Sequence, residues 1–254
     1  MRKNRVKIRL KTRIERSKKR RKILLGITAT LFILAVLGFA VNKVSKILLT
    51  YPIFNVKSTV VKGSDVTDET AVLSYLDFSG KNIFALKLGI AESQLKERFP
   101  SIKEVKVHRR LPNGIVAEIE DRIPLAETKV SDKRIGIDEY FKSFVLPENY
   151  RALPKMSDSL TTENKTACLK FLKSVSGMPI SKEINGITAV SPDDIVFFIK
   201  DDCKVCIGGA KNVEKKIFYL SKVLADLETK GKKAQYINMR DFSDDYKDII
   251  VRAK

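Results

Sequence analysis

Residues 105–120, VKVHRRLPNGIVAEIE, place a Pro-Asn-Gly turn between two runs in which apolar and polar residues alternate. Such alternation is typical of half-buried strands, and Asn-Gly is a frequent hairpin turn. A two-residue loop would set Arg110 opposite Ala117, whereas a three-residue Pro-Asn-Gly loop matches residues by type. The pairs in the second register are Val107 with Ile119, Lys106 with Glu120 and His108 with Glu118. We therefore predict an antiparallel hairpin with a three-residue loop and a left-handed Gly114.

The chain before this hairpin predicts one strand and two short helices. Residues 54–62 alternate like a strand, and Thr67 is a good N-cap for the helix that follows. A second helix has apolar residues at positions 91, 95 and 99 and stops at Pro100. Residues 53–122 thus predict the order strand, helix, helix, strand, strand, with both helices on one face of a small sheet.

Residues 123–254 predict a larger, strand-rich domain with two packed helices. Thr161 or Thr162 caps the first helix, and Asn212 caps the second, which stops at Gly231. The predicted strands are residues 123–130, 134–137, 141–146, 184–190, 194–199, 204–207, 234–239 and 248–252. The predicted fold class is α+β.

Residues 23–41, ILLGITATLFILAVLGFAV, contain no charge, and their only polar side chains are two Thr. At about 1.5 Å per residue they extend roughly 28 Å, close to the ~30 Å hydrocarbon core of a bilayer. They predict a single transmembrane helix, with Ile23, Leu31 and Val41 in the anchor. The alternative is a cleaved signal peptide with a weak cleavage site at residues 38–40, but the apolar run is long for one.

The charges beside this segment predict its orientation. Residues 1–22 hold thirteen Lys and Arg and one acid, whereas only Lys43 and Lys46 follow in the linker, residues 42–52. The positive-inside rule then gives a single-pass, type II protein of the cytoplasmic (inner) membrane. Its N-terminus is cytoplasmic, and residues 53–122 and 123–254 are extracytoplasmic.

The basic tail, residues 1–22, carries +12 of the net charge of +19. The remaining chain is therefore only mildly basic, which argues against a uniformly basic nucleic-acid binder, and we expect no nucleic-acid partner. The favoured interpretation is a disordered arm that rests on anionic membrane lipid. The alternatives are docking to a cytoplasmic or nucleic-acid partner and an amphipathic helix on the lipid that uses Val6, Leu10 and Ile14.

Few residues suggest chemistry. Cys203 and Cys206 form a C-x-x-C, but they lie in a predicted strand, where positions three apart face opposite sides. Only Cys168 and His108 remain as further zinc ligands, and no nucleophile motif lies near His108. We favour packing roles for the cysteines, with a disulfide from Cys168 to one strand cysteine as the alternative. No catalytic residue, cofactor or metal is predicted, and we do not expect an enzyme.

Binding surfaces remain as the basis of function. Residues 248–252, DIIVR, predict a strand near the chain end that offers unpaired backbone groups to a partner strand. On the preceding helix, Tyr219 is predicted to face solvent beside two lysines. The alternative is an edge strand that a loop covers. The predicted partner-binding residues are Lys215, Tyr219, Lys222, Tyr246, Ile249, Ile250, Val251 and Arg252.

Several local motifs, in their order along the chain, resemble the bacterial cell-division family FtsQ, also called DivIB. Residues 54–63 (FNVKSTVVKG) resemble the start of that family's POTRA domain. Residues 99–112 resemble its P-x-V…V-x-R…P run, and residues 121–126 (DRIPLA) resemble its E-R-x-P-x-A junction. Residues 236–240 (YINMR) resemble its i-D-l-R strand, with Asn238 in place of the usual Asp.

The resemblance implies a POTRA-like domain over residues 53–122, a β-rich domain over residues 123–254, and a non-enzymatic division scaffold. Its partners would be other bitopic division proteins, FtsB- and FtsL-like, and septal wall synthases. The C-terminal region would bind the first two. One alternative is a POTRA-bearing transport or outer-membrane assembly factor, and another is a membrane-anchored cell-wall hydrolase.

Overall fold

The computed structural model describes residues 2–200, 203–243 and 248–254, with side chains from Arg21 onward. Within these ranges one long helix precedes two β-sheets with their helices. The mixed α+β class that the sequence predicts is confirmed.

Helix α1, Arg2–Thr50, is continuous. Its part Arg21–Thr50 is the one helix in the described ranges that is long and apolar enough to cross a membrane, and no residue in its apolar window is buried. The backbone of tail residues 2–20 is helical, whereas a disordered arm was favoured. Residues 42–50 of the expected linker are helical as well, since the first Pro or Gly after them is Pro52, which opens a 3-10 turn at Pro52–Phe54.

A three-stranded sheet and two short helices follow α1 in the predicted order. The elements are β1 (Ser58–Lys62), α2 (Glu69–Tyr75), α3 (Leu88–Arg98), β2 (Ile102–Arg110) and β3 (Gly114–Asp121). The strands lie in the order β1-β3-β2. The burial of Leu88, Ala91 and Leu95 on α3 shows the apolar face that the spacing predicted.

The cap of α2 lies one residue later than predicted. Asp68, and not Thr67, precedes the helix, and its Oδ1 accepts a hydrogen bond from Thr70 N at 2.9 Å. Hydrogen bonds from the Thr70 hydroxyl and then from its backbone N–H lower the pKa of Asp68. Thr67 is buried instead, because its hydroxyl is bonded within the fold.

The hairpin forms, but its loop lies one residue earlier than predicted. Strand β2 ends at Arg110 and β3 begins at Gly114, so residues 111–113 form the loop, with a cis Leu111–Pro112 peptide. The prediction of a left-handed backbone at Gly114 was wrong, since Gly114 is not among the residues with positive φ. The turn is complete before Gly114, where an added Cβ would lie 3.1 Å from Arg110 O. The cross-strand pairs deduced from a Pro-Asn-Gly loop therefore no longer follow.

Nine further strands follow in the described part of the chain. Strands β4 to β7 are Ala126–Val130, Lys133–Ile137, Ser143–Val145 and Lys155–Met156. Strands β8 to β12 are Gly186–Ser191, Asp194–Ile199, Cys203–Gly208, Ala234–Asn238 and Ile250–Ala253. They form one sheet in the order β12-β11-β10-β9-β8-β7-β4-β5-β6. The two-residue β7 was not predicted, because so short a strand has no periodicity to detect.

Helices α4 (Thr162–Val175) and α5 (Val213–Thr229) supply the helical side of the core of this sheet. Thr161 caps α4 as predicted, since its side chain accepts a bond from Asn164 N. Phe171 of α4 stacks on Phe197 of β9, with ring centroids 5.2 Å apart. A 3-10 turn at Pro179–Lys182 leads from α4 towards β8.

Asp121, the last residue of β3, holds the loop before α2. Its Oδ2 accepts hydrogen bonds from the backbone N–H groups of residues 65, 66 and 67 at 2.8, 2.7 and 3.1 Å. Its Oδ1 accepts a bond from the Thr67 hydroxyl at 2.5 Å, and Ser101 Oγ lies 2.7 Å from that hydroxyl. Three converging N–H groups of this kind form a concave anion-binding nest.

The next residue, Arg122, links this region to the start of the nine-stranded sheet. Its Nη1 donates to Asp138 Oδ2 at 2.8 Å, and its Nε donates to Pro100 O at 3.1 Å. The Asp138 side chain is only 4% exposed. The motif at residues 121–126, which resembles a family junction, therefore has hydrogen bonds in two directions. Asp121 bonds to the loop before α2, and Arg122 bonds to Asp138.

We predict that Asp121→Asn destabilises the protein by about 1.5–3 kcal/mol, because the neutral amide loses charge-assisted bonds and turns donors towards donors. Urea unfolding of the detergent-solubilised chain measures the change. Asp132→Asn is the control, since the Asp132 side chain is fully exposed at 100%. Equal stability of the two variants would contradict the role of Asp121.

Candidate partner-binding surface

Strand β12 is the outer strand at one end of the nine-stranded sheet, and within the described ranges no strand pairs with its other edge. It runs antiparallel to β11, with Tyr236 opposite Arg252 and Asn238 opposite Ile250. Lys254 N donates to Lys233 O at 2.9 Å. Because backbone groups alternate along a strand, Arg252 and Ile250 also point towards β11, and Val251 and Ala253 point to the free edge.

The side chains of β12 add apolar and basic surface to this edge. Ile250 is 63% exposed and Val251 is 36% exposed. Arg252 is exposed too, whereas Ile249, just before the strand, packs against the core. Tyr246, which was predicted for the same surface, lies outside the described residues. A strand of this kind is a template for the addition of a partner strand.

Helix α5 carries an aromatic and cationic cluster, defined here as Phe218, Tyr219 and Lys222. The Lys222 ammonium lies 4.4 Å from the centroid of the Phe218 ring and 5.9 Å from that of Tyr219. Tyr219, which the sequence predicts to face solvent, is half-buried, and its ring centroid lies 5.3 Å from that of Phe242. Phe218, at 56% exposed, is the aromatic that faces solvent.

The sequence contained a pattern that could have identified Phe218 as the solvent-facing aromatic of α5. It follows Ile217 directly, so it lies about 100° around the helix from the buried stripe, and Lys222 comes one turn later. Aromatic and basic side chains at this spacing form cation–π pairs. The predicted Lys215 is exposed near the start of the same helix.

A buried lysine, Lys216, fixes the start of α5. Its side chain is among the few buried polar ones, and its Nζ donates to Ile207 O at 2.7 Å and to Gly209 O at 3.2 Å. Burial lowers the pKa of Lys216. The predicted cap residue Asn212 makes no side-chain cap bond and instead has a left-handed backbone, with φ 53°.

The start of α5 affects the candidate partner-binding surface, because α5 connects β10 to the parallel strand β11, which lies next to β12. The lysine thus holds the helix that bears Phe218, Tyr219 and Lys222 against the strand end from which that helix starts.

The side chains that could act as nucleophiles or metal ligands lie outside this surface. Cys168, Cys203 and Cys206 are buried free thiols. Burial raises the pKa of Cys168 to about 11 and also raises the pKa of Cys203. Since the thiolate is the nucleophilic and metal-binding form, these two thiols are poorly suited to either role. His108 is exposed on β2.

Comparison with known proteins finds similarity over part of the chain. A family model described as "POTRA domain, FtsQ-type" matches residues 54–122. The cell division protein FtsQ of Rickettsia felis is 31% identical over 104 residues, which are 41% of this chain and 38% of that protein. The cell division protein FtsQ of Rickettsia typhi is 33% identical over 87 residues, 34% of this chain and 32% of that protein. The matched part is therefore less than half of each relative.

The chain is thus a POTRA-domain protein with one apolar, membrane-type helix before the domain. The FtsQ-type POTRA match over residues 54–122 and the similarity to the FtsQ relatives agree with the resemblance to the FtsQ/DivIB family that the motifs in the sequence indicated.

We predict that the stability of the native chain rises with pH relative to Lys216→Met. The folded-state pKa of Lys216 is below its unfolded value of 10.5. Between the two values the unfolded chain binds more protons, so raising the pH favours folding, and below both values the effect is absent. Urea unfolding at a series of pH values up to 10.5 measures this difference, with Lys215→Met as the exposed neighbouring control. Parallel pH profiles of the native chain and Lys216→Met would refute the burial of the charge.

Proposed function

We propose that the chain is a non-enzymatic, bitopic scaffold of the bacterial cell-division machinery. Residues 1–22 are its cytoplasmic tail, residues 23–41 its membrane span, and residues 42–52 a largely helical linker. Residues 53–122 form the POTRA-like domain, and residues 123–254 form the β-rich domain outside the cytoplasm. The chain binds other division proteins there and links them to septal peptidoglycan synthesis.

The observation that carries this proposal is the outer edge of β12, which no strand in the described part of the chain pairs with. Val251 and Ala253 present backbone donors and acceptors that a partner strand satisfies, while Ile250 and Arg252 contact its side chains. The cluster on α5 adds an aromatic and cationic contact of the type that is common in interfaces. The partners that we propose are FtsB- and FtsL-like bitopic proteins, with septal wall synthases as further members of the assembly.

The orientation rests on charge. The tail has a net charge of +12, and positive residues next to a span stay in the cytoplasm. The basic tail also contacts anionic lipid in this arrangement, at about 1 kcal/mol for each basic residue near the surface. Anchoring in the bilayer confines the search for partners to two dimensions.

Two features favour a scaffold over the alternatives. The raised pKa values of Cys168 and Cys203 make poor nucleophiles of these thiols, which disfavours a hydrolase that acts through them. The FtsQ-type character of the POTRA match favours division over transport or outer-membrane assembly.

We predict that Val251→Pro weakens partner capture about two- to tenfold. Proline removes a donor on the free edge, worth about 0.5–1.5 kcal/mol, without removing a bond to β11. Photo-cross-linking in cells from a photoreactive residue at position 250 measures the capture. Val251→Ala is the matched control, since it shortens the side chain but keeps the N–H, and it should retain more capture than the proline variant.

The same experiment tests the function as a whole. Capture of division proteins from position 250, and not from the exposed position 190 on β8, is the expected result. Capture of lipoproteins or barrel-assembly proteins in place of any division protein would overturn the proposal.

A further inference from the structure

One compact unit of the protein combines α1 with residues 51–58, 78–86 and 109–115. Asn82 joins them at the helix end, because its Nδ2 donates to Leu48 O at 2.9 Å and to Leu49 O at 3.1 Å. Ile83 N donates to Phe54 O at 2.8 Å, and Lys57 N donates to Asn113 O at 2.9 Å. The hairpin loop at residues 111–113 is therefore held close to the end of α1.

The segments of this unit beyond α1 are basic and contain no acid. Their charged residues are Lys57, Lys81, Arg109 and Arg110, and residues 51–58, 78–86 and 109–115 hold no Asp or Glu. Arg109 braces the unit, since its Nε and Nη2 donate to Ile83 O and Leu86 O, both at 2.8 Å. Lys57 and Arg110 are exposed. The charged side chains of these three segments are therefore all positive.

The same end exposes large apolar side chains. Tyr51 is 59% exposed, Ile53 is 54% exposed, and Leu111, at the tip of the hairpin, is 62% exposed. Apolar side chains next to basic ones are the composition of surfaces that lie in the membrane interface, and tyrosine is enriched at that depth. We call Tyr51, Ile53, Leu111, Lys57 and Arg110 the basal surface.

The length of the helix limits the height of the basal surface. Residues 42–50 continue α1 by about 13 Å beyond residue 41, the end of the proposed span, whereas each headgroup layer is only about 5–7 Å thick. Transmembrane helices tilt by roughly 0–40°, and such a tilt of α1 lowers one side of the basal surface towards the headgroups. The bonds from Asn82 and Lys57 keep the hairpin loop near the end of α1.

We propose that the basal surface docks onto anionic phospholipid headgroups of the bilayer that α1 spans. Leu111, Ile53 and Tyr51 enter the interface, and Lys57 and Arg110 contact the phosphates. The site rests on the proposed membrane span, and it is separate from both the cytoplasmic tail and the β12 edge. Contact at two points, the helix and the hairpin tip, fixes the tilt of this unit against the membrane.

The test uses the full chain in vesicles of phosphatidylcholine and phosphatidylglycerol. Leu111→Cys is labelled with an environment-sensitive fluorophore, and the unmodified chain measures background from the three buried cysteines. Val190→Cys, at an exposed apolar position on β8, is the matched control, and Leu31→Cys reports the span. We expect position 111 to be quenched by spin-labelled lipid and protected from aqueous iodide, and position 190 to behave in the opposite way.

The outcomes separate this proposal from the membrane anchor. Aqueous exposure of position 111 equal to that of position 190, with position 31 embedded, overturns the docking alone. Aqueous exposure of position 31 overturns the anchor and the docking together.

A double variant, Lys57→Glu with Arg110→Glu, tests the role of the basic side chains of the basal surface. We expect it to reduce the lipid quenching at position 111 several-fold. Lys200→Glu with Lys204→Glu, at exposed lysines of the nine-stranded sheet region, should leave it unchanged. Undiminished quenching in the first double variant, or in vesicles of phosphatidylcholine alone, contradicts recognition of anionic headgroups.

Discussion

The uncovered apolar surface of α1 is the constraint on which the rest of the architecture depends. No residue in the apolar window of Arg21–Thr50 is buried by the part of the chain that the structure describes. A helix satisfies its own backbone polar groups, so hydrocarbon can replace water around it without leaving any N–H or C=O unpaired. A bilayer is therefore the environment that suits this segment. The bonds from Asn82 to Leu48 O and Leu49 O attach residue 82 closely to the end of this helix.

Much of this fold could be predicted from the sequence, because its elements are amphipathic and carry local signals. The alternation around residues 105–120 predicted β2 and β3, and the spacing of residues 91, 95 and 99 predicted α3. The errors lie where tertiary contacts outweigh those signals. Thr67 has the composition of a cap, but Asp121, more than fifty residues later, takes its hydroxyl and leaves the cap to Asp68. The hairpin loop likewise shifted by one residue, with the close approach of Gly114 to Arg110 at its base.

The candidate surface shows the same division between local and long-range information. The edge strand followed from its position near the chain end and its apolar content. Which aromatic of α5 faces solvent did not follow, since the half-burial of Tyr219 depends on Phe242, which the chain brings back after β11. The burial of Lys216 did not follow from the sequence either, because a lysine on a helix is normally predicted to face solvent. Only the carbonyl groups at the end of β10 make its burial acceptable.

The carboxylate of Asp121 occupies a hollow that resembles the phosphate sites of other proteins. Converging amide groups of residues 65–67 attract anions whether or not the anion belongs to the same chain. By supplying its own, the protein keeps this loop closed to chloride, sulfate and phosphate from its surroundings. The loop is thereby insulated from the ionic composition of the medium, and its shape is decided at folding and not by a solute.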